Sequence, residues 1–185
     1  MRIDRFTQKM QEALQSAQDV AAEYQQQEIA NEHFLTALLD QSEGVTRPLL
    51  DKVGVATSAL KQRLADLLAQ RARVQGSGMQ TFLGGDLREA LDRAEKEMAG
   101  MKDEFVSAEH YLLALVDGKS ATGKLLRDSG VTRDRLMKAL QQVRGSQRVT
   151  DQNPEGKYQT LEKYGRDLTA AARRGKIDPV IGRDN

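Results

Sequence analysis

At 185 residues with 39% hydrophobic side chains, the chain has material for one core of ordinary domain size and a tail, and too little for two full domains. Lys and Arg total 28 against 27 Asp and Glu, a net charge of +1, so the totals carry no electrostatic footprint for nucleic acid or an anionic membrane and point to protein partners. The absence of cysteine excludes disulfides, thiolate nucleophiles and Cys-type zinc sites, fits a reducing compartment, and leads us to expect a cytoplasmic protein.

Residues 1–6 alternate charged and apolar side chains, unlike the unbroken apolar run of a signal peptide or membrane span. Thr7 then precedes Met10, Leu14, Ala17, Ala21 and Tyr24, whose three-to-four spacing predicts an amphipathic helix over about 8–24 with Thr7 as its N-cap. Gln25-Gln26-Gln27 ends it, and Phe34, Leu35, Leu38 and Leu39 mark a second, short helix apolar enough to be largely buried. Gly44 breaks the pattern before Arg47-Pro48-Leu49-Leu50, where Pro suits a first helical turn and Gly54 a left-handed stop. Leu60, Leu64, Leu67 and Leu68 predict a fourth helix.

The pattern is then written again. Residues 12–40 align with 89–117 at an offset of 77 with 11 of 29 positions identical, and Asn31-Glu32-His33-Phe34-Leu35 returns as Ala108-Glu109-His110-Tyr111-Leu112. After one deletion the offset is 76, and Gly54 and Leu60 map onto Gly130 and Leu136. Helices are expected at about 86–100, 108–117, 121–129 and 132–144, so the fold class is all-α: eight helices in two pseudo-symmetric four-helix repeats, about 1–74 and 79–145, joined by a connector around Gly76-Ser77-Gly78. Residues 146–157 lack apolar periodicity and read as a flexible linker spanning on the order of 20 Å. From Tyr158 a further helical pattern begins, with Leu161, Tyr164, Leu168, Ala171 and Ala172, and runs into Arg173-Arg174-Gly175, where the start of another domain is expected.

Gly118-Lys119-Ser120-Ala121-Thr122-Gly123-Lys124 has the spacing of a phosphate-binding P-loop, but Leu125 stands where a hydroxyl should hold magnesium, and the preceding run is helical where a strand is required. A free-standing nucleotide-binding enzyme is therefore disfavoured. The two Glu-His pairs, Glu32-His33 and Glu109-His110, hold the only histidines; their equivalent places at helix starts fit capping and packing better than a metal site, and we expect none. No nucleophile constellation has a local signature, which leaves recognition: two packed helical repeats leave an apolar cleft that an unfolded segment or partner helix could fill.

Tyr158-Gln159-Thr160-Leu161-Glu162-Lys163-Tyr164-Gly165 and Gly175-Lys176-Ile177-Asp178-Pro179-Val180-Ile181-Gly182-Arg183-Asp184 closely resemble the lead-in to the first AAA+ module of the Clp ATPases. The duplicated Glu-His-x-Leu-x-Ala-Leu resembles the Clp N-terminal repeat, and residues 1–7 look like the start of that family's disaggregases. The resemblance spans the chain. It implies a Clp N-terminal domain over 1–145, the linker, and the beginning of an ATPase module over 158–185 that stops before any P-loop, so the fragment itself should neither hydrolyse ATP nor bind a cofactor. The parent implied is a homohexameric disaggregase, using ATP and magnesium, that extracts aggregated polypeptides with a DnaK-type chaperone system during heat-stress recovery. By the same resemblance Thr7, Asp103 and Glu109 are polar contacts at the rim of a client groove, and Val180 and Ile181 would line the adenine side of a nucleotide site in the full-length protein. His110 stands where an apolar residue would better serve such a groove. A Clp-protease unfoldase, whose N domain docks adaptor proteins, is the competing implication.

Overall fold

The computed structural model describes residues 1–76, 78–155 and 157–158. The helical segment expected beyond residue 158, with Val180 and Ile181, lies outside the described residues. Among the described residues there are eight α-helices: α1 (Gln8–Glu23), α2 (Asn31–Asp40), α3 (Thr46–Val53) and α4 (Thr57–Gln70), then α5 (Gly85–Gly100), α6 (Ala108–Asp117), α7 (Ala121–Asp128) and α8 (Arg133–Arg144). The two repeats expected from the 77-residue offset are therefore present, with α1 and α2 superposing in number on α5 and α6.

Local chemistry sets most of the boundaries. Thr7 caps α1 by accepting the Met10 N–H at 3.3 Å. Gly54 (φ +96°) and Gly130 (φ +92°) end α3 and α7 in the left-handed region where a side chain would be strained. The ends of α1 and α5 carry no such mark, because the left-handed residues there are Gln25 (φ 55°) and Lys102 (φ 59°). In both, the next residue's N–H reaches back five positions, Gln26 to the Ala21 carbonyl at 2.8 Å and Asp103 to the Met98 carbonyl at 3.0 Å, which closes the same helix-terminating motif in each repeat.

α2 and α6 form the centre. Every residue from Ala108 to Val116 of α6 is buried, as are eight of the ten residues of α2. Phe34 and Tyr111, equivalent positions of the two repeats, meet edge to face with ring centroids 4.7 Å apart and planes at 89°. The Tyr111 hydroxyl donates to Asn31 Oδ1 at 2.8 Å, tying α6 to α2 through the core. Two-residue strands that alternation could not reveal complete the exchange: β1 (Glu28–Ile29) pairs in parallel with β2 (Phe82–Leu83), and Phe6 bridges Val106 in the same sense. The Ile29–Leu83 and Phe6–Val106 pairings interconvert under the 77-residue offset, so each repeat lends its lead-in segment to the other.

The symmetry is incomplete. α3 packs against α8, whereas across the counterpart junction Arg63, Asp66 and Leu67 of α4 face Ala121, Lys124, Leu125 and Asp128 of α7 over an open cleft of about 330 Å³. The stretch after α8 also departs from expectation: rather than hanging free as a linker, it lies on the domain with Val149 and Tyr158 buried. One or two apolar anchors and backbone hydrogen bonds hold it, and neither produces a periodic pattern.

Replacing Tyr111 with Phe keeps the ring contact but removes the donor to Asn31 Oδ1, in a side chain whose Nδ2 is already buried without a protein partner. We expect a loss of about 1–3 kcal/mol in urea unfolding with helix content unchanged; Phe34→Ala, which empties the ring's place, should cost about 3–5 kcal/mol.

Candidate functional site

Each histidine closes the turn that leads into its helix. His33 Nδ1 accepts the Ala30 N–H at 2.9 Å, and His110 Nδ1 accepts the Ser107 N–H at 2.9 Å, so in both rings the proton sits on Nε2. His33 Nε2 donates to Gln26 Oε1 at 2.7 Å; His110 Nε2 donates to Asp103 Oδ2 at 2.7 Å. Gln26 and Asp103 are equivalent positions, so one constellation is built twice, as the capping expectation for the two histidines anticipated. Its electrostatics differ. Gln26 passes its amide N–H to the Leu68 carbonyl at the end of α4, whereas Asp103 meets the Arg144 guanidinium at the end of α8. Burial, and then the positive charge of Arg71, push the His33 pKa down to about 4. For Asp103, burial alone would raise the pKa, but hydrogen bonds from His110 and Arg144 prevail and hold it below the usual carboxylate range.

Thr7, Asp103 and Glu109 are brought together here, but not as an exposed rim: all three are buried. The junction is floored by Thr7 of the first repeat, whose N–H donates to the Val106 carbonyl at 2.9 Å, and by Asp103 and Glu109 of the second. Arg144 crosses it, reaching Asp103 Oδ1 and, at 3.3 Å, Glu109 Oε1. The roof is the chain after α8: the Val149 N–H donates to Asp103 Oδ1 at 3.0 Å, the Gln152 carbonyl accepts the Gln8 N–H at 2.8 Å, and Glu155 Oε1 lies 3.5 Å from Thr7 Oγ1. Glu32, the counterpart of Glu109, similarly meets Arg71 at 3.6 Å just past α4, so in both copies the glutamate before the histidine pairs with an arginine at the end of the fourth helix. His110 is fully buried in this network and lines no apolar surface.

The open apolar surface lies elsewhere. Ile3, Leu14, Ile29, Phe82 and Leu83 line a groove of about 430 Å³ along α1, rimmed by glutamines and Thr81. Ile3 is 48% and Phe82 56% exposed, two of the five large apolar side chains left exposed among the described residues. Sequence reasoning expected an apolar cleft between the repeats but named none of these residues. The available signal was that residues 1–6 and 79–83 carry apolar side chains that no helical stripe claims.

At the P-loop-like run, residues 108–117 form α6, and the segment turns directly into α7. A Cβ on Gly123 would stand 2.3 Å from the Leu115 carbonyl oxygen, so that glycine permits close backbone contact where a P-loop would need room for phosphate. Among the described residues no group of three or more His, Asp or Glu is clustered to hold a metal ion, and no helix is long and apolar enough to cross a membrane.

Residues 5–129 match the Clp repeat (R) N-terminal domain family. The chain is 43% identical over 182 residues to Chaperone protein ClpB 2 of Nostoc sp., covering 98% of this chain and 21% of that protein. It is 45% identical over 183 residues to Chaperone protein ClpB 1 of Synechococcus elongatus, again covering 98% and 21%. The chain thus spans about a fifth of the length of these curated relatives. Among solved structures, the Hsp104 N-terminal domain from Candida albicans aligns with a TM-score of 0.68 at 18% identity over 81% of this chain and 98% of that one. The N-domain of ClpV from Vibrio cholerae aligns with a TM-score of 0.65 at 23% identity over 76% and 85%. At these identities the structural likeness is one of fold.

Because His33 binds its proton less readily folded than unfolded, stability should be full above about pH 6.5 and fall as the pH drops toward 4, by about 2–3 kcal/mol from this residue. Urea unfolding at pH 7 and 4.5 checks it: His33→Gln should be less stable at pH 7 yet lose less between the two. The comparison with the variant is needed because Glu155, whose pKa is raised, contributes in the opposite sense over the same range.

Proposed function

The chain belongs to the Clp repeat (R) N-terminal domain family, and from that premise we propose that it is the client-recognition domain of an ATP-driven protein disaggregase of the ClpB and Hsp104 type. In this reading the parent is a cytoplasmic homohexamer whose AAA+ modules use ATP and magnesium, with Val180 and Ile181 on the adenine side, and it works with a DnaK-type chaperone system to refold proteins after heat stress. The domain itself binds unfolded or aggregated polypeptide weakly. Weak binding suffices, because six tethered copies around a ring raise the local concentration of sites without any new contact.

The observation that carries the reading is the groove on α1. Unfolded clients share exposed apolar segments and little else, and Ile3 and Phe82 offer apolar surface, about half of it exposed, in a groove whose glutamine rim can pair with a client's backbone. Thr7, Asp103 and Glu109 are assigned as polar client contacts at the inter-repeat junction. A second reading, adaptor docking as in a protease-linked unfoldase, draws on the α4–α7 cleft, where Arg63, Asp66, Lys124 and Asp128 present both charge signs to a folded partner.

Titrating the isotopically labelled chain with a permanently unfolded protein should shift amide resonances of Ile3, Leu14 and Phe82 with a Kd weaker than about 10 μM. Phe82→Ser should weaken that binding about tenfold while changing stability by less than about 0.5 kcal/mol, since the ring is exposed. No shift with several unfolded proteins would sink direct client recognition, and shifts confined to the α4–α7 cleft with a folded adaptor would establish the second reading instead.

A further inference from the structure

The junction assigned to clients already holds a peptide, and it is the chain's own. Val149 is fully buried, its N–H donating to Asp103 Oδ1 and its carbonyl accepting the Glu104 N–H at 2.8 Å, the two-sided grip an extended strand receives. Three residues on, the Gln152 carbonyl accepts the Gln8 N–H, one of the four donors that the start of α1 cannot satisfy internally. Arg144 donates through Nε to the Gln147 carbonyl at 2.7 Å while holding Asp103 and Glu109, so the same guanidinium grips floor and roof. Four of these contacts engage the backbone of the segment. They read chain direction and one small apolar residue, which any extended polypeptide with a Val-sized side chain can reproduce.

We propose that residues 147–155 are an internal stand-in for the client: the cleft of Thr7, Asp103 and Glu109 binds extended polypeptide backbone, as it does the non-helical stretch 147–153, and the domain's exit segment occupies it until it is displaced. This rests on the reading of those three residues as client contacts. The segment is built to leave. Glu109 Oε2 beneath it, Glu155 Oε2 at its end and the Tyr158 hydroxyl that follows it are buried with no protein partner, and two of these belong to carboxylates on opposite sides of one cleft. Burial first, and the charge of Glu109 second, raise the Glu155 carboxyl to about 7, against weaker opposing pulls from Lys9 and Thr7. The other groups facing the cleft are Asp103, Arg144 and Tyr158, and Arg144 is committed to Asp103 and Glu109. Docked, Glu155 holds its proton; released, it has the ordinary value near 4.5. The docked form therefore binds more protons, and docking weakens as pH rises from about 4.5 to about 7.

The test uses the whole chain and reduced, carboxymethylated α-lactalbumin as the unfolded probe. Val149→Asp removes the apolar anchor and sets a carboxylate against Asp103. It should speed tryptic cleavage after Lys157 and tighten probe binding, each about tenfold, the equivalent of one pKa unit, with new shifts at the amides of Thr7, Asp103 and Glu109. Glu155→Gln, an uncharged isostere, should slow that cleavage and abolish the rise in probe affinity expected of the unaltered chain between pH 5.5 and 7.5; it keeps the test decisive if Val149→Asp fails to fold. Cleavage unchanged by either variant overturns the docked segment. Faster cleavage with shifts at the three residues but no gain in affinity overturns the competition and leaves the client contacts standing. Shifts confined to Ile3, Leu14 and Phe82 overturn the assignment of the three residues, and the stand-in with it.

Discussion

One buried histidine per repeat fixes the geometry on which the others depend. Its Nδ1 closes the turn three residues back, and its Nε2 reaches residue 26 or 103, seven back, so both ring nitrogens are committed within a single loop. Those bonds hold the loop that follows α1 or α5 in one shape, with Gln25 or Lys102 forced into the left-handed region. The same loop presents Ile29 or Val106 to pair with the other repeat's lead-in strand. A ring held at both ends thus specifies the interface between repeats as well as the fold within each.

Duplication produced two copies of that device, and charge has since distinguished them. Around His33 the partner is an amide that hands its own proton to a backbone carbonyl, leaving a neutral histidine that burial keeps neutral. Around His110 the partner is a carboxylate, which cannot donate and, once buried, requires a cation; Arg144 supplies it from the end of α8. A guanidinium has five donors, more than Asp103 and Glu109 use, and the surplus captures the Gln147 carbonyl. Recruitment of the exit segment follows from the ionised version of the cluster, because a neutral Gln at position 103 would need no such counter-charge.

The fold was legible because its information is periodic and written twice: leucine spacing marked the helices, and the 77-residue offset made α1, α2, α5 and α6 check one another. Thr7 as a cap and the histidines as turn-closing groups could be read because their chemistry is local. What the sequence concealed is non-local. The left-handed residues at Gln25 and Lys102 are not glycines, the strands are two residues long, and Val149 is a lone apolar residue in a polar stretch, so none leaves a pattern. Thr7, Asp103 and Glu109 were singled out as a set by resemblance; that they share one junction follows from the strand exchange, but their burial depends on where residues 147–155 lie, which composition could not show.

The position of that junction has a mechanical consequence. Chain leaving α8 passes over the contact between α1 and the 103–109 loop before it reaches Tyr158, and its hold there consists of backbone hydrogen bonds to residues of both repeats. Such bonds resist sliding along the strand together but yield one at a time when an end is peeled away, so tension applied beyond Tyr158 would strip Glu155, then Gln152, then Val149, in order. Arg144 is the last point of attachment, and it belongs to the helix. Whatever pulls on the exit of this domain therefore draws Tyr158 from the edge of the core and opens the cleft of Thr7, Asp103 and Glu109, while the Phe34–Tyr111 contact and the two histidine loops stay in place, because they lie inside the last bond to break.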